Sequence, residues 1–277
     1  MLLRRARAFL LPIILVLAGV VIAPRPAPAQ PAPQLTLQGQ QHAQAFLDRM
    51  VRVTGRQTAG GAGETGYGFV VGEGTNAQGT PVLVIVTADR LVRDPAQPDL
   101  RARPPVIVPY GNLGVSLQAE LLEQRLPPAQ GDLAVLLVAK PTTALFRPVP
   151  VADTQLLLPG TLAWQDGRPG QWEPPAAPGR YAVRDAAGWL TFDGLDASPG
   201  AAGAAILTEK GVAGMLVGPA PSNGAPRGQG RPDSTTVRVL PIELIAAKVQ
   251  AWGFRWDLPA ADGAAPSSAP GSLAALT

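Results

Sequence analysis

The 277-residue chain carries 23 Lys and Arg against 20 Asp and Glu, a single histidine and no cysteine. Lack of cysteine excludes disulfides, thiolate metal sites, a thiol nucleophile and a lipid-anchor cysteine, so the fold stands on its apolar core alone. Four arginines, Arg4, Arg5, Arg7 and Arg25, lie in the first 29 residues without an acid; setting these four aside from the 23 leaves 19 basic against 20 acidic side chains, a net of −1, which gives no ground for a nucleic-acid partner.

The N-terminal arginines precede an apolar run from Phe9 to Ala23 and an A-x-A pattern at Ala27-Pro28-Ala29. This is the layout of a secretory signal peptide, and the run is shorter than the roughly 20 residues of a membrane span. Residues 1–29 are therefore expected to direct export to the bacterial periplasm or beyond, with membrane attachment only if the segment is kept as an anchor. A Pro-rich linker is expected over 30–37, and the remaining length suffices for one large all-β unit or two small lobes.

From Gln38 to Met50, Ala43, Phe46, Leu47 and Met50 fall on one face of a short amphipathic helix that also carries His42. Ten short Val-, Leu- and Ile-rich runs follow, separated by Gly and Pro: 68–71, 82–87, 105–109, 115–122, 133–138, 161–165, 181–184, 203–207, 212–217 and 236–240. Strands this short and numerous argue for an all-β sandwich or barrel rather than βαβ units. Pro241 opens a second helix whose Ile242, Ile245, Val249 and Trp252 share a face, and Gly253 stops it. The Gly- and Pro-rich stretch 218–233 reads as a surface loop, and the weakly charged Ala/Ser/Pro tail beyond Pro259 as disordered.

Three blocks carry a resemblance. Gly66-Tyr67-Gly68-Phe69-Val70-Val71 with Thr87-Ala88-Asp89-Arg90-Leu91-Val92 resembles GSGFVV and TAAHVV; Gly131-Asp132-Leu133-Ala134-Val135-Leu136 resembles GDLALL. Ser198 to Leu207, SPGAAGAAIL, followed by Lys210-Gly211-Val212-Ala213-Gly214-Met215, resembles NPGNSGGAL and its return strand. In this order they resemble the trypsin-like serine proteases, particularly the bacterial HtrA type. The resemblance implies an all-β fold of two antiparallel barrels, lobes at about 50–145 and 146–240, within a domain spanning 38–258 and closed by the helix at 241–252.

Carried over position by position, the resemblance places Arg90 where the family has its histidine, Asp132 at its aspartate and Ala202 at its serine. A Ser-His-Asp site needs imidazole to take and return the serine proton. A guanidinium has no lone pair for this, and a methyl group cannot attack a carbonyl. Gly200 and Ala202 keep the two backbone amides of the family's oxyanion hole, which implies that a peptide carbonyl or carboxylate could still bind there. Asp196 falls at the floor of the family's basic-residue pocket, against the plainer reading of a solvated loop carboxylate. Arg90 and Asp132 are expected to pair and fill the cleft.

Ser198 lies outside the attack position, Thr208 lies beyond the loop, and His42 precedes the whole constellation. Asp89, Asp132 and Asp196 are scattered and Arg90 would repel a cation, so neither a metal nor a cofactor is expected. The expectation is an exported, catalytically inactive trypsin-like protein that binds a peptide or protein segment between the barrels or serves as a scaffold. Two alternatives stay open: an active serine endopeptidase with a non-standard site, and a structural envelope protein with a filled cleft.

Overall fold

The computed structural model describes residues 33–57, 63–93, 104–127, 131–141, 146–220 and 235–260. The expected signal peptide, the tip of the 218–233 loop and nearly all of the C-terminal tail lie outside them.

The first lobe is a seven-stranded antiparallel sheet built from β1 (Met50–Gln57), β2 (Gly63–Thr75), β3 (Pro81–Thr87), β4 (Val106–Pro109), β5 (Leu117–Gln118), β6 (Glu120–Leu121) and β7 (Ala134–Ala139). Its spatial order is β5-β4-β1-β2-β3-β7-β6. The two edge strands are consecutive in sequence, separated by Ala119 alone, so the sheet must curl until its edges nearly meet. The second lobe closes fully: β8 (Leu162–Asp166), β9 (Gly179–Arg184), β10 (Leu190–Asp193), β11 (Ala205–Thr208), β12 (Gly211–Pro219) and β13 (Val237–Pro241) form a barrel in the order β10-β13-β12-β11-β8-β9. Closure leaves no open sheet edge to recruit another chain.

Strand alternation sorts the apolar side chains into three layers. Leu83 and Ile85 of β3, with Leu136 and Val138 of β7, fill the interior of the first lobe. The alternate residues Val82, Val84, Val86, Val135 and Leu137 face the other way and join Trp164, Trp189 and Leu240 in a cluster between the lobes. Leu190, Phe192, Ile206, Leu216 and Val239 fill the closed barrel. Burial on both faces explains why β3 and β7 read as unbroken apolar runs.

Two helices flank the barrels. The helix α1 (Pro33–Phe46) buries Ala43 and Phe46 and packs on β8 and β11, and it begins inside the segment expected to be a linker. Proline suits a first helical turn, where its missing N–H has no partner to lose. A one-turn helix α2 (Asp89–Val92) follows β3, and α3 (Ile242–Ala251) packs on β12 and β13, burying Ile242, Ile245 and Val249.

Candidate functional site

The three sequence blocks meet between the lobes. Thr87 ends β3, and the chain turns at Ala88 into α2, which presents Arg90 toward the second barrel. Asp132 precedes β7, the strand paired with β3 by Thr87↔Ala134. The main-chain N–H of Arg90 donates to Asp132 Oδ1 at 2.9 Å, and its guanidinium Nη1 donates to Asp132 Oδ2. The second guanidinium nitrogen, Nη2, donates to the carbonyl oxygen of Val217 on β12. Arg90 therefore links the first lobe to the second across their junction.

The Val217 acceptor has a local cause. The pairing of β12 with β13 shifts register between Leu216↔Val239 and Gly218↔Arg238, leaving Val217 as the extra residue of a bulge. A bulged residue departs from the regular ladder, so its carbonyl can take a partner from outside the sheet. Nothing in the side-chain pattern of GMLVGP announces this.

Alongside, a second ion pair stiffens α2. Arg93 Nη1 donates to Asp89 Oδ1 four residues earlier, and Nη2 donates to Leu122 O. Burial pushes the Asp89 carboxyl above its ordinary value, and the positive charge of Arg93 partly offsets this.

The loop that resembles the nucleophile segment is a turn of 3-10 helix over Pro199–Ala201. Ala201 N–H donates to Ser198 O at 2.9 Å and Ala202 N–H donates to Pro199 O at 3.2 Å. One of the two amides expected to face a ligand is thus engaged within the turn. The Ala202 methyl is fully buried and belongs to the same apolar cluster as Ala88, Leu91 and the interior of the first lobe. Gly200 is covered from one side by Pro169, whose Cγ lies 3.1 Å from where a side chain at 200 would begin.

Tyr67 stitches this loop to both lobes. Its N–H donates to Ala202 O at 2.7 Å, and its carbonyl accepts from Thr87 Oγ1 at 2.6 Å. Its hydroxyl donates to the carbonyl of Arg168 at 2.5 Å and lies 3.1 Å from that of Gln171, and its ring meets Trp172 edge-on. Gly203 sits so close to Tyr67 that a Cβ there would lie 1.8 Å from the Tyr67 oxygen. Its φ of +80° is a conformation glycine adopts readily. Tyr67 carried the sequence motif only as a spacer between two glycines, and its positioning role was not legible there.

The other candidate side chains lie apart from this junction or serve it locally. Asp196 accepts from the Ser198 N–H at 2.9 Å, and its own main chain is held by the Gln165 side chain. Ser198 Oγ is buried without a hydrogen-bond partner, so no base reaches it. His42 sits on α1, where Nδ1 contacts the carbonyl of Thr208 at 3.2 Å, at the end of β11 remote from Ala202. Among the described residues no group of His, Asp and Glu gathers in a way that could hold a metal ion.

No protein-family model matches the chain, and no curated protein does. Among solved structures it is similar to the Rv3671c protease from M. tuberculosis in its active form, with 18% identity and a TM-score of 0.54 over 88% of this chain and 99% of that one. Identity this low speaks to architecture alone, and with the two barrel-like sheets it establishes a trypsin-like double-barrel fold.

Proposed function

We propose that this chain is a non-hydrolytic member of the trypsin-like fold, exported by its N-terminal segment, that works as a scaffold for a protein or peptide segment. The observation that carries the reading is the Arg90 bridge from Asp132 to Val217 O, standing beside a fully buried Ala202. Peptide hydrolysis needs a nucleophile, a base within hydrogen-bond reach of it, and donors aimed at the developing oxyanion. Position 202 supplies a methyl group, position 90 a cation hydrogen-bonded on both sides of the cleft, and the Ala202 amide is held by Pro199 O. Ser198 offers no way round this, because its hydroxyl is buried and the single histidine contacts Thr208 O elsewhere.

The test is a fluorophosphonate probe on the purified mature protein, together with casein turnover. No serine should be labelled and no casein cleaved; labelling at one serine would overturn the reading in favour of an endopeptidase with a non-standard site.

A second reading, capture of an extended peptide within the cleft, is favoured by one feature. The Arg90 side chain is 33% exposed, so it can leave, and its departure would uncover the Val217 carbonyl as an acceptor for an incoming peptide N–H. Under that reading Arg90→Ala binds peptides from a random library more tightly than the parent protein. Under the scaffold reading Arg90→Ala gains no affinity for them over the parent protein.

A further inference from the structure

Asp166, the last residue of β8, is fully buried, and neither carboxylate oxygen has a hydrogen-bond partner. Its neighbour Gln165 is equally buried but satisfied, donating to Gly167 O and Asp196 O and accepting from Asp196 N–H. Alternation along β8 turns Asp166 to the same side as Trp164, toward the apolar layer between the lobes. A carboxylate placed there without a donor is strongly disfavoured relative to its neutral form. Burial accordingly raises its proton affinity well above the ordinary carboxylate range, and the negative charge of Glu173 adds to this.

Directly after Asp166 the chain makes a tight turn over residues 167–172: Gly167 N–H donates to Trp172 O, and Arg168 and Gln171 exchange main-chain hydrogen bonds. The turn rests on Tyr67, with Gly167 against its ring and the hydroxyl bonded to Arg168 O and close to Gln171 O, while Pro169 covers Gly200. Asp166 itself is paired with Ala205, three residues beyond Ala202. The buried carboxyl thus lies at the root of the element that covers the Ser198–Gly203 loop.

The geometry points to Asp166 as a proton-operated latch, holding the 167–172 turn down on Tyr67 and Gly200 when neutral and releasing it when ionised. The charged and titratable groups that act on it are Glu173 at the exit of the turn and Tyr110 after β4, while Arg52 on β1 and Arg168 in the turn face Tyr67 beside it. Neither Asp166 oxygen has a partner and Arg168 turns Nη2 to Glu173 O at 3.4 Å, so no cation is committed to Asp166 in the closed arrangement. Opening admits water to the carboxylate and restores an ordinary proton affinity. The open-to-closed ratio then rises by up to about tenfold per pH unit between the open-state and closed-state pKa values, and is flat below both.

The latch governs access to the loop, whatever the loop binds. Its test is amide hydrogen exchange on the full chain from pH 4 to pH 9, with Asp166→Asn run at each pH so that intrinsic exchange rates cancel. The expected result is a wild-type to variant exchange ratio in segments 167–172 and 198–203 that climbs with pH, with β3 and β7 unchanged. Equal protection of wild type and variant at every pH overturns the latch, as does a loss of protection spread evenly over both lobes. Asp166→Ser, smaller and neutral, is the second variant; it must also lack the pH-dependent opening, and retaining it would overturn the assignment to Asp166.

Discussion

Arg90 holds Asp132 at two points, through its main-chain N–H on Oδ1 and its guanidinium on Oδ2, and continues to the carbonyl of Val217. Both Asp132 contacts fix the start of α2 within the first lobe, whereas the guanidinium contact to Val217 O joins that lobe to the second. Removing the side chain therefore deletes the cross-lobe link while leaving Asp132 one donor.

Arg90→Ala is expected to lower stability by about 1 to 3 kcal/mol, between the values for exposed and buried ion pairs. The intermediate magnitude follows from side-chain exposures of 33% for Arg90 and 19% for Asp132. Urea unfolding of the purified domain checks it. Arg90→Lys should recover only part of the loss, because one ammonium cannot reproduce the planar fork that reaches both Asp132 and Val217. Full recovery would show that charge alone matters.

Restoring the two missing side chains should not restore a protease. In Arg90→His with Ala202→Ser, the new hydroxyl would begin from a fully buried position, and the amide at 202 would still donate to Pro199 O. An oxyanion hole lacking one donor typically loses about two to three orders of magnitude in rate. The expected outcome is no casein hydrolysis above the parent protein and no probe labelling. Clear turnover by the double variant would show that the Pro199–Ala201 turn re-forms easily and that the closed loop is a consequence of the substitutions.

How far the site was legible depends on which atoms build it. Arg90, Asp132 and Ala202 stand out because their flanking residues keep a pattern, and the structure brings the three blocks to one junction. Val217 was invisible, since its contribution is a carbonyl turned outward by a bulge. Asp166-Gly167 is a turn signal in its own right, yet nothing local says that the aspartate is buried without a donor.

Fold elements divide in the same way. Strands such as β3 and β7 were legible as apolar runs. β1 is hidden in the sequence because Met50 also fits the helical face that precedes it; pairing with β2 on one side and β4 on the other decides for strand. The run 115–122, expected as one strand, splits at Ala119 into β5 and β6 at opposite edges of the sheet, a separation that only closure of the sheet imposes. β10 is only four residues between turns, too short to read as a strand by itself, although it joins β9 to β13 in the closed barrel.

Gly203→Ala tests the contact between the loop and Tyr67. A Cβ at 203 would lie 1.8 Å from the Tyr67 oxygen, and the backbone there has φ +80°. Backbone strain of this kind costs on the order of 1 to 3 kcal/mol before the steric clash is counted. The variant should therefore lose about 3 kcal/mol or more, read as a lower urea midpoint, with the Tyr67 N–H to Ala202 O bond the first to lose exchange protection.

Asp166 sets a sign for the pH dependence of stability. Its proton affinity is raised by folding, so the folded state is favoured by bound proton below the unfolded-state pKa of about 4, and that advantage fades as pH rises toward the folded value. Asp166→Asn removes the titration. The gap between variant and wild-type stability should therefore widen in favour of Asn from pH 4 upward. Urea melts at successive pH values check this, and a gap that stays constant would mean that Asp166 finds a donor in the folded protein.

Gly39 on α1 sets helix propensity against packing, and packing should win. Ala in place of Gly within a helix gains about 1 kcal/mol from propensity alone. Yet a Cβ at 39 would lie 2.0 Å from Cζ3 of Trp164, with two further ring atoms within 2.7 Å. Trp164 is among the largest fully buried side chains and belongs to the layer between the lobes, so the indole has no room to retreat. Overpacking of a core typically costs about 1 to 3 kcal/mol, more than the propensity gain. Gly39→Ala should therefore lower the melting temperature, and amide exchange should rise first in α1. A higher melting temperature would show instead that α1 can shift away from β8 without loss.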